Sequence, residues 1–238
     1  MPIFKRGDVS IYYEEYGSGF PLLLFAPGGM RSAIEFWHKS PFDPTRELAN
    51  DFRVIAMDQR NAGQSQAPVT AADGWDTYTA DHLALLDHLG VKRTHAMGGC
   101  IGSSYSLNLI KAAPDRVASA VLQNPIGLHN NREAFYEMFD GWAKSMQRKQ
   151  PGLTDAAAAE FRERMYGTDF VFNVDRDFVR KCTTPLLVLA GNDLYHPAPT
   201  SRDLAELGPN AEILLKWSTP DVIQATVERV RSFLKAHQ

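Results

Sequence analysis

The chain has 238 residues, of which 44% are hydrophobic, and its 25 Lys and Arg nearly balance 28 Asp and Glu to leave a net charge of −3. A balanced charge with no long run of one sign argues against a nucleic-acid or membrane-surface partner, and no stretch approaches the roughly 18 apolar residues of a membrane span. A chain of this length buries roughly 70% of its unfolded surface, so it needs no disulfide or metal to hold a core.

The cysteine content and the N-terminal residues predict the compartment. Only Cys100 and Cys182 are present, whereas a secreted disulfide scaffold uses more cysteines. The first ten residues, MPIFKRGDVS, lack the apolar segment of a signal peptide. We therefore expect a cytoplasmic protein. These features do not predict its oligomeric state.

The predicted strands divide into two kinds along the chain. Residues 2–6 and 9–16 alternate between apolar and polar side chains, which predicts two antiparallel strands before a turn at 17–19. Continuous apolar runs follow, which are typical of strands buried on both faces of a parallel sheet. These runs lie at 21–26, 52–58, 94–99, 117–123, 185–191 and 211–217.

Helical patterns lie between the apolar runs. Residues 76–90 have apolar side chains at helical spacing and end on a glycine, residues 101–114 end at a proline, and residues 220–238 begin at one. Alternating strands and helices predict an α/β fold with a mostly parallel sheet that helices flank.

One segment, 124–183, interrupts this alternation. It has no apolar run typical of a buried strand and is predicted to form helices near 131–148, 154–166 and 174–181. About 60 residues are too few for an independent core. We therefore expect a core formed by 1–123 and 184–238, and a helical cap over the carboxyl edge of the sheet, where open α/β sheets bind ligands.

Cys100 lies between a predicted strand and a predicted helix, in the sequence Gly98-Gly99-Cys100-Ile101-Gly102. Small neighbours let a strand and a helix approach closely around a strained, exposed nucleophile. A thiol at a helix N-terminus has a lowered pKa, and the amide of the next residue, Ile101, is free to face an oxyanion. The alternative is a buried core cysteine, since free cysteine is among the most buried residue types.

Two further loops follow predicted strands. The glycine pair in Pro27-Gly28-Gly29-Met30 predicts backbone N–H groups that line an anion site, with an ordinary tight turn as the alternative. The loop from Asp58 to Ser65 is predicted to be braced by its own polar side chains rather than to act in catalysis.

Together these motifs resemble the α/β-hydrolase superfamily over nearly the whole chain. Pro27-Gly28-Gly29 matches the family's oxyanion stretch. Residues 58–65 match its D-x-R-G-x-G-x-S loop, with Asn61 in place of the first glycine. Residues 98–102 match its nucleophile elbow, with cysteine in place of the usual serine. Gly191-Asn192-Asp193 matches the loop that carries its acid, and 124–183 its helical cap. The resemblance implies the fold, with Cys100 as nucleophile and Asp193 as acid, and specifies the reaction much less.

The sequence departs from this family at the catalytic histidine. The family places it after the last strand, but residues 215–221 read LKWSTPD. Of the seven histidines, His196 is the candidate base, since it follows Asp193 by three residues at the carboxyl end of a predicted core strand. His95 and His82 are expected in strand or helix packing.

The residues favour a cysteine-dependent hydrolase of an ester, lactone or thioester of a small, largely apolar substrate. Because a thiol ionises far more readily than a hydroxyl, Cys100 attacks without a strong base, while Asp193 and His196 manage the proton. The predicted oxyanion donors are the amides of Gly29 or Met30 and of Ile101. The predicted substrate-binding residues are Trp37, His38, His129, Tyr136, Phe139 and Trp142.

Two other classes of function remain open from the sequence. One is a lyase, isomerase or decarboxylase-like enzyme that uses the oxyanion site without an acyl-enzyme. The other is a non-catalytic protein that keeps the pocket as a ligand receptor. The aromatic residues of the cap also fit packing against the body as well as they fit a pocket roof. A small-molecule substrate is expected, and no cofactor or metal is predicted.

Overall fold

The computed structural model describes residues 2–238, which fold around an eight-stranded sheet. The strands are β1 (Ile3–Arg6), β2 (Val9–Tyr16), β3 (Phe20–Phe25), β4 (Phe52–Met57), β5 (Thr94–Gly99), β6 (Val117–Gln123), β7 (Leu186–Leu189) and β8 (Ala211–Leu214). Their order across the sheet is β1-β2-β4-β3-β5-β6-β7-β8. β2 pairs antiparallel with β1 and β4, and every pair from β4 onward to β8 is parallel, which confirms the predicted α/β fold.

Helices flank the sheet and form the segment after β6. They are α1 (Pro44–Glu47), α2 (Trp75–His88), α3 (Ile101–Ala112), α4 (Arg132–Lys149), α5 (Asp155–Tyr166), α6 (Arg176–Lys181), α7 (Ala198–Leu207) and α8 (Ile223–Ala236). Within residues 2–238, no helix combines the length and the apolarity that crossing a membrane requires.

The central strands owe their positions to burial on both faces. β5 and β6 are buried at every residue, and the last four residues of β3 are buried as well. Alternate side chains of these strands enter different hydrophobic clusters: Leu23 and Phe25 lie in one, and Leu22 and Leu24 lie in the other. A strand buried on both faces needs the continuous apolar run that the sequence has here.

The structure differs from the predicted elements at the end of the sheet. β8 ends at Leu214 rather than at 217, because Trp217 turns inward, is 3% exposed, and donates from Nε1 to the carbonyl oxygen of Ala190 at 2.9 Å. Between β7 and β8 lies α7, a helix that the sequence analysis did not predict and that begins directly after Pro197.

The three helices α4, α5 and α6 lie close to their predicted positions and cover the carboxyl ends of the central strands. The indole of Trp75 on α2 donates to the carbonyl oxygen of Met165 on α5 at 2.9 Å. Apolar residues of this segment, including Phe135 and Phe161, belong to the same hydrophobic cluster as Phe25 of β3. The helical segment therefore shares a core with the sheet.

The backbones of β5 and α3 cross very closely. A Cβ atom on Gly98 would lie 1.9 Å from the carbonyl oxygen of Gly102, and one on Gly102 would lie 2.0 Å from the carbonyl oxygen of Phe25. Both contacts involve backbone atoms, which cannot move aside as a side-chain end does. Strand and helix reach their positions only because these residues lack side chains.

We expect Gly102→Ala to destabilise the fold by about 2 kcal/mol or more, because the added methyl group overlaps the backbone of β3. The matched control is Gly141→Ala on α4, where nothing lies within 4 Å of the added atom. Alanine is the better helix former, so this variant should be stabilised by about 0.5–1 kcal/mol. Urea unfolding measures both, and equal effects at the two sites would contradict the steric argument.

Candidate active site

Cys100 occupies the turn between β5 and α3 in a backbone conformation that residues other than glycine rarely adopt. Its φ is 57° and its ψ is −121°, its amide donates to the carbonyl oxygen of Gln123 at 2.8 Å, and the residue is half-buried. A strained residue of this kind persists only where its surroundings determine it, and such residues cluster at functional sites. The turn presents the thiol at the carboxyl edge of the sheet, at the N-terminus of α3.

Two backbone amides face the sulfur of Cys100. They belong to Ile101, the first residue of α3, and to Gly28 in the turn after β3, and both lower the pKa of the thiol. Gly28 precedes the pair Gly29 and Met30 that the sequence analysis selected. Its φ is 121° and that of Gly29 is 57°, so this turn depends on glycine.

Asp193 and His196 form a compact unit in the loop after β7. Oδ1 of Asp193 accepts the backbone amides of Tyr195 at 2.9 Å and His196 at 3.0 Å, and Oδ2 lies 2.8 Å from Nδ1 of His196. The loop folds back so closely that a Cβ on Gly191 would lie 2.4 Å from the Cβ of His196. One short loop therefore holds both the carboxylate and the imidazole in a defined orientation.

The second ring nitrogen of His196, Nε2, is buried and makes no hydrogen bond of ordinary geometry with any residue from 2 to 238. The side chain that it interacts with is Cys100, and the two groups shift each other's pKa. In structures without substrate, catalytic hydrogen bonds are often longer or less well aligned than in the reacting complex.

The pKa shifts favour a charged pair. Burial alone would lower the pKa of His196, but interactions with Cys100 and Asp193 outweigh it and raise the pKa to about 9. Burial alone would raise the pKa of Cys100, but His196 and the two backbone amides outweigh it and hold the pKa below its ordinary value. Near neutral pH the arrangement therefore stabilises a thiolate beside an imidazolium.

Trp217 occupies the region where the resemblance implies a histidine. Its indole hydrogen bond to Ala190 attaches it to the last residue before the loop that carries Asp193 and His196, and its own carbonyl oxygen accepts from Oγ1 of Thr226 at 2.9 Å. The side chain at this position therefore packs beneath the loop that carries Asp193 and His196 and lies in the interior.

The cap lies directly over the Gly28–Gly29 turn. A Cβ on Gly29 would lie 2.9 Å from Sδ of Met138 on α4, and the hydroxyl of Tyr166 donates to Sδ of Met30 at 3.6 Å. The ring of Phe135 on α4 packs against that of Tyr195, between Asp193 and His196, with centroids 5.3 Å apart. Apolar side chains thus enclose the space beside the thiol.

Of the predicted pocket residues outside the cap helices, one is buried and two are exposed. Trp37 is fully buried in the second hydrophobic cluster, with its ring behind Gly99. His38 lies half-exposed, with Nδ1 2.7 Å from Oδ2 of Asp43, and His129 is exposed at the start of the cap.

The predicted cap residues mostly pack within the cap. The rings of Phe139 and Trp142 both contact Phe161 of α5, with centroids 5.1 and 5.7 Å apart, and Tyr136 donates to Glu163 at 2.8 Å. In this structure their main role is to hold α4 against α5.

The loop after β4 is braced in the way that the sequence analysis expected. Oδ1 of Asp58 accepts the amide of Ile34 and Oδ2 accepts that of Gln64, both at 2.8 Å, while the hydroxyl of Ser65 donates to the carbonyl oxygen of Asp58 at 2.9 Å. His95 is fully buried, with Nδ1 2.8 Å from the hydroxyl of Ser119. Within residues 2–238, no group of His, Cys, Asp and Glu side chains is arranged to hold a metal ion.

Sequence reasoning missed several residues that shape the site. The signal for Gly28 and Gly191 was present, since each glycine lies within a motif that the analysis had selected. Tyr166 and Met138 had no such signal, because the register of a cap helix over the body does not follow from its own pattern. The only sequence signal at Trp217 was that the histidine implied by the resemblance is absent from this region.

As pH is increased, the rate at which iodoacetamide alkylates Cys100 should begin to rise at a lower pH than for an ordinary thiol. The reason is that His196 and two amides stabilise the thiolate. In His196→Ala the rise should move to higher pH, whereas His88→Ala, an exposed histidine on α2, should leave it unchanged. Mass spectrometry of peptides containing Cys100 and Cys182 measures this. Equal pH dependence at both cysteines would contradict the ion pair, since burial raises the pKa of Cys182.

Curated relatives match parts of the chain or most of it. RutD of Azorhizobium caulinodans, assigned as a carbamate hydrolase, is 33% identical over 52% of this chain and 44% of its own length. The RutD protein of Stutzerimonas stutzeri is 25% identical over 86% of this chain and 87% of its own.

Solved structures reproduce the fold over the whole chain. Est816, described as an N-acyl homoserine lactone degrading enzyme, superposes with a TM-score of 0.70 at 21% identity and covers 100% of both chains. The enol-lactonase of Burkholderia xenovorans LB400 has a TM-score of 0.68 at 21% identity and covers 98% of this chain and 100% of its own. The sequence model of the alpha/beta hydrolase fold matches residues 21–223. The chain therefore belongs to the α/β-hydrolase fold family.

Proposed function

We propose that this protein hydrolyses an ester, lactone, thioester or carbamate of a small, largely apolar substrate, with Cys100 as nucleophile. The observation that carries the proposal is the convergence of Cys100, His196 and Asp193 at the carboxyl edge of the sheet, with two amides facing the sulfur. A nucleophile, a base and a group that orients the base are the minimal set for covalent acyl transfer.

The resting enzyme holds the proton on His196. Because the imidazole has a pKa of about 9 and the thiol a lowered one, the thiolate forms before substrate binds. Asp193 receives the other ring N–H and fixes which nitrogen faces the sulfur. Its carboxylate is itself held by two amides and has a lowered pKa: burial opposes the ionised form, but the hydrogen bond and charge of His196 favour it more.

In acylation the thiolate attacks the carbonyl carbon, a C–S bond forms, and the carbonyl oxygen becomes negative. The amides of Gly28 and Ile101, with that of Gly29 next to Gly28, are the donors in reach of this charge. Such donors stabilise a tetrahedral intermediate by about 3–4 kcal/mol each. The intermediate then collapses, the bond to the leaving group breaks, and His196 gives its proton to the departing oxygen, nitrogen or sulfur.

In deacylation the same histidine acts as a base instead of an acid. Once the sulfur is acylated, its negative charge is gone, and the interaction that raised the pKa of His196 is lost. Burial then lowers that pKa, and the neutral imidazole accepts a proton from water. The water oxygen attacks the thioester, the acid leaves, and the thiolate–imidazolium pair is restored. One histidine thus acts first as acid and then as base.

The comparisons support the substrate class. Carbamate hydrolases and lactone-degrading enzymes both cleave a carbonyl–heteroatom bond, the reaction for which the site is arranged. Met138 and Met30, which lie against the oxyanion turn, favour a compact apolar group beside the scissile carbonyl.

Intact-protein mass spectrometry during turnover of p-nitrophenyl or thioester substrates should show an adduct with the mass of the acyl group. The adduct should map to the peptide that contains Cys100 and should be absent in Cys100→Ala, whose kcat should fall by about 10³-fold or more. Cys182→Ala is the matched control, since this second cysteine is buried and should change neither result. Full turnover by Cys100→Ala would overturn the acyl-enzyme and favour elimination chemistry instead.

The pH profile of kcat/KM should be bell-shaped. Below the lowered pKa of Cys100 the thiol is protonated and attack stops. As pH rises through about 9, His196 loses the proton that the leaving group needs, and the rate falls. The alkaline limb should therefore weaken for p-nitrophenyl esters, whose leaving group departs unprotonated, and persist for alkyl esters. An alkaline limb of the same size for both kinds of ester would argue against His196 as the acid.

A further inference from the structure

Three buried tyrosines converge on the side of Cys100 that the mechanism does not use. Tyr78 lies on α2, Tyr105 on α3 and Tyr166 at the end of α5, and none is more than 1% exposed. The rings of Tyr78 and Tyr105 stack with centroids 5.0 Å apart. Trp75 contacts both Tyr105 and Tyr166, with centroids 5.4 and 6.3 Å apart. We refer to Tyr78, Tyr105 and Tyr166 as the tyrosine cluster.

The hydroxyls of this cluster lack good partners. Those of Tyr78 and Tyr105 are buried and interact with each other, and neither makes a hydrogen bond of ordinary geometry with any other residue from 2 to 238. In such a pair one hydroxyl donates to the other, so the proton of the second hydroxyl has no acceptor. The hydroxyl of Tyr166 has only the thioether sulfur of Met30, a weak acceptor, at 3.6 Å. A buried hydroxyl without a partner is costly, and the exceptions in folded proteins call for an explanation.

The cluster adjoins the reacting centre. Tyr166 contacts Met30, which follows the Gly28–Gly29 turn that faces the sulfur of Cys100. After burial, the main cause of the raised pKa of Tyr166 is the charge of Cys100, and the next is Tyr78. The three tyrosines thus extend from the neighbourhood of the thiol to α2 and α3.

A charged ligand does not suit this position. The guanidinium of Arg60 beside Tyr78 is already paired with Asp81 at 2.7 Å and Asp73 at 3.4 Å, and Arg6 adds a second contact to Asp81 at 2.7 Å. Burial and Arg60 lower the pKa of His82 to about 3, so this histidine stays neutral. A carboxylate here would be buried without a free counter-charge, whereas a neutral oxygen needs only hydroxyl donors.

The position in the sheet indicates which part of the substrate reaches the cluster. His196 follows β7, on one side of Cys100, and the leaving group must lie beside it to receive its proton. α2 follows β4, on the other side of Cys100. A group bound at the tyrosine cluster therefore belongs to the acyl part of the substrate.

We propose that the tyrosine cluster is a polar subsite that binds a neutral carbonyl or hydroxyl oxygen in the acyl chain, a few bonds beyond the scissile carbonyl. This subsite deepens the proposed function and rests on it. The preferred substrates are then oxo- or hydroxy-acyl derivatives rather than simple fatty acyl ones.

The test compares p-nitrophenyl 4-oxohexanoate and 5-oxohexanoate with the hexanoate. Tyr105→Phe and Tyr78→Phe should each reduce kcat/KM for at least one oxo ester by about tenfold while changing that for hexanoate less than about twofold. Tyr13→Phe, a buried tyrosine of β2 beside His88, is the matched control. Because each of these hydroxyls interacts only with the other, the melting temperatures of the cluster variants should fall by about 4 °C at most.

The subsite would be overturned if both variants left the oxo-to-hexanoate ratio of kcat/KM unchanged, whether the two rates stay the same or fall equally. A binding measurement separates this failure from failure of the nucleophile. Cys100→Ala is titrated with N-methyl-5-oxohexanamide and N-methylhexanamide, followed by tryptophan fluorescence. If Cys100→Ala binds the oxo amide more tightly than the other amide, and adding Tyr105→Phe removes this difference, the subsite is supported whatever the role of Cys100. Equal binding of both amides to Cys100→Ala refutes the subsite.

Discussion

The contact on which the site depends is the close crossing of β5 and α3. Backbone meets backbone at Gly98 and Gly102, so the intervening turn has no room to relax. Cys100 is held at a positive φ at the carboxyl edge of the sheet, with the first amide of α3 facing its sulfur. The parallel strands buried on both sides of this crossing make the turn rigid. The position of every other group in the site is defined relative to this thiol.

The positions of Asp193 and His196, the proposed acid and base, depend on a second local constraint. Contacts within one loop fix the geometry of Asp193 and His196. The carboxylate of Asp193 accepts two backbone amides and lies beside one ring nitrogen of His196, and the loop can fold this closely because Gly191 has no side chain. The base therefore does not need to come from a separate loop after β8. The region that would carry it is occupied by Trp217, whose indole instead supports the chain just before Asp193.

Burial disfavours the charged forms of both Cys100 and His196. The interaction between the two groups favours ionisation instead, lowering the pKa of Cys100 and raising that of His196. Covalent modification of the sulfur removes one charge and so changes the proton affinity of the other. The same enclosure leaves the hydroxyls of Tyr78 and Tyr105 with no partner except each other.

The sequence by itself determined the α/β fold, the cap helices and the strand–turn–helix around Cys100. These follow from local patterns: buried strands need continuous apolar runs, and the tight elbow needs small residues at 98 and 102. Asp193 and His196 were accessible because they are three residues apart. The tertiary structure alone decided that Gly28 supplies the second amide, that Phe139 and Trp142 pack inside the cap, and that Tyr166 reaches Met30. These contacts join segments far apart in the chain, and their register depends on how helices pack rather than on any local pattern.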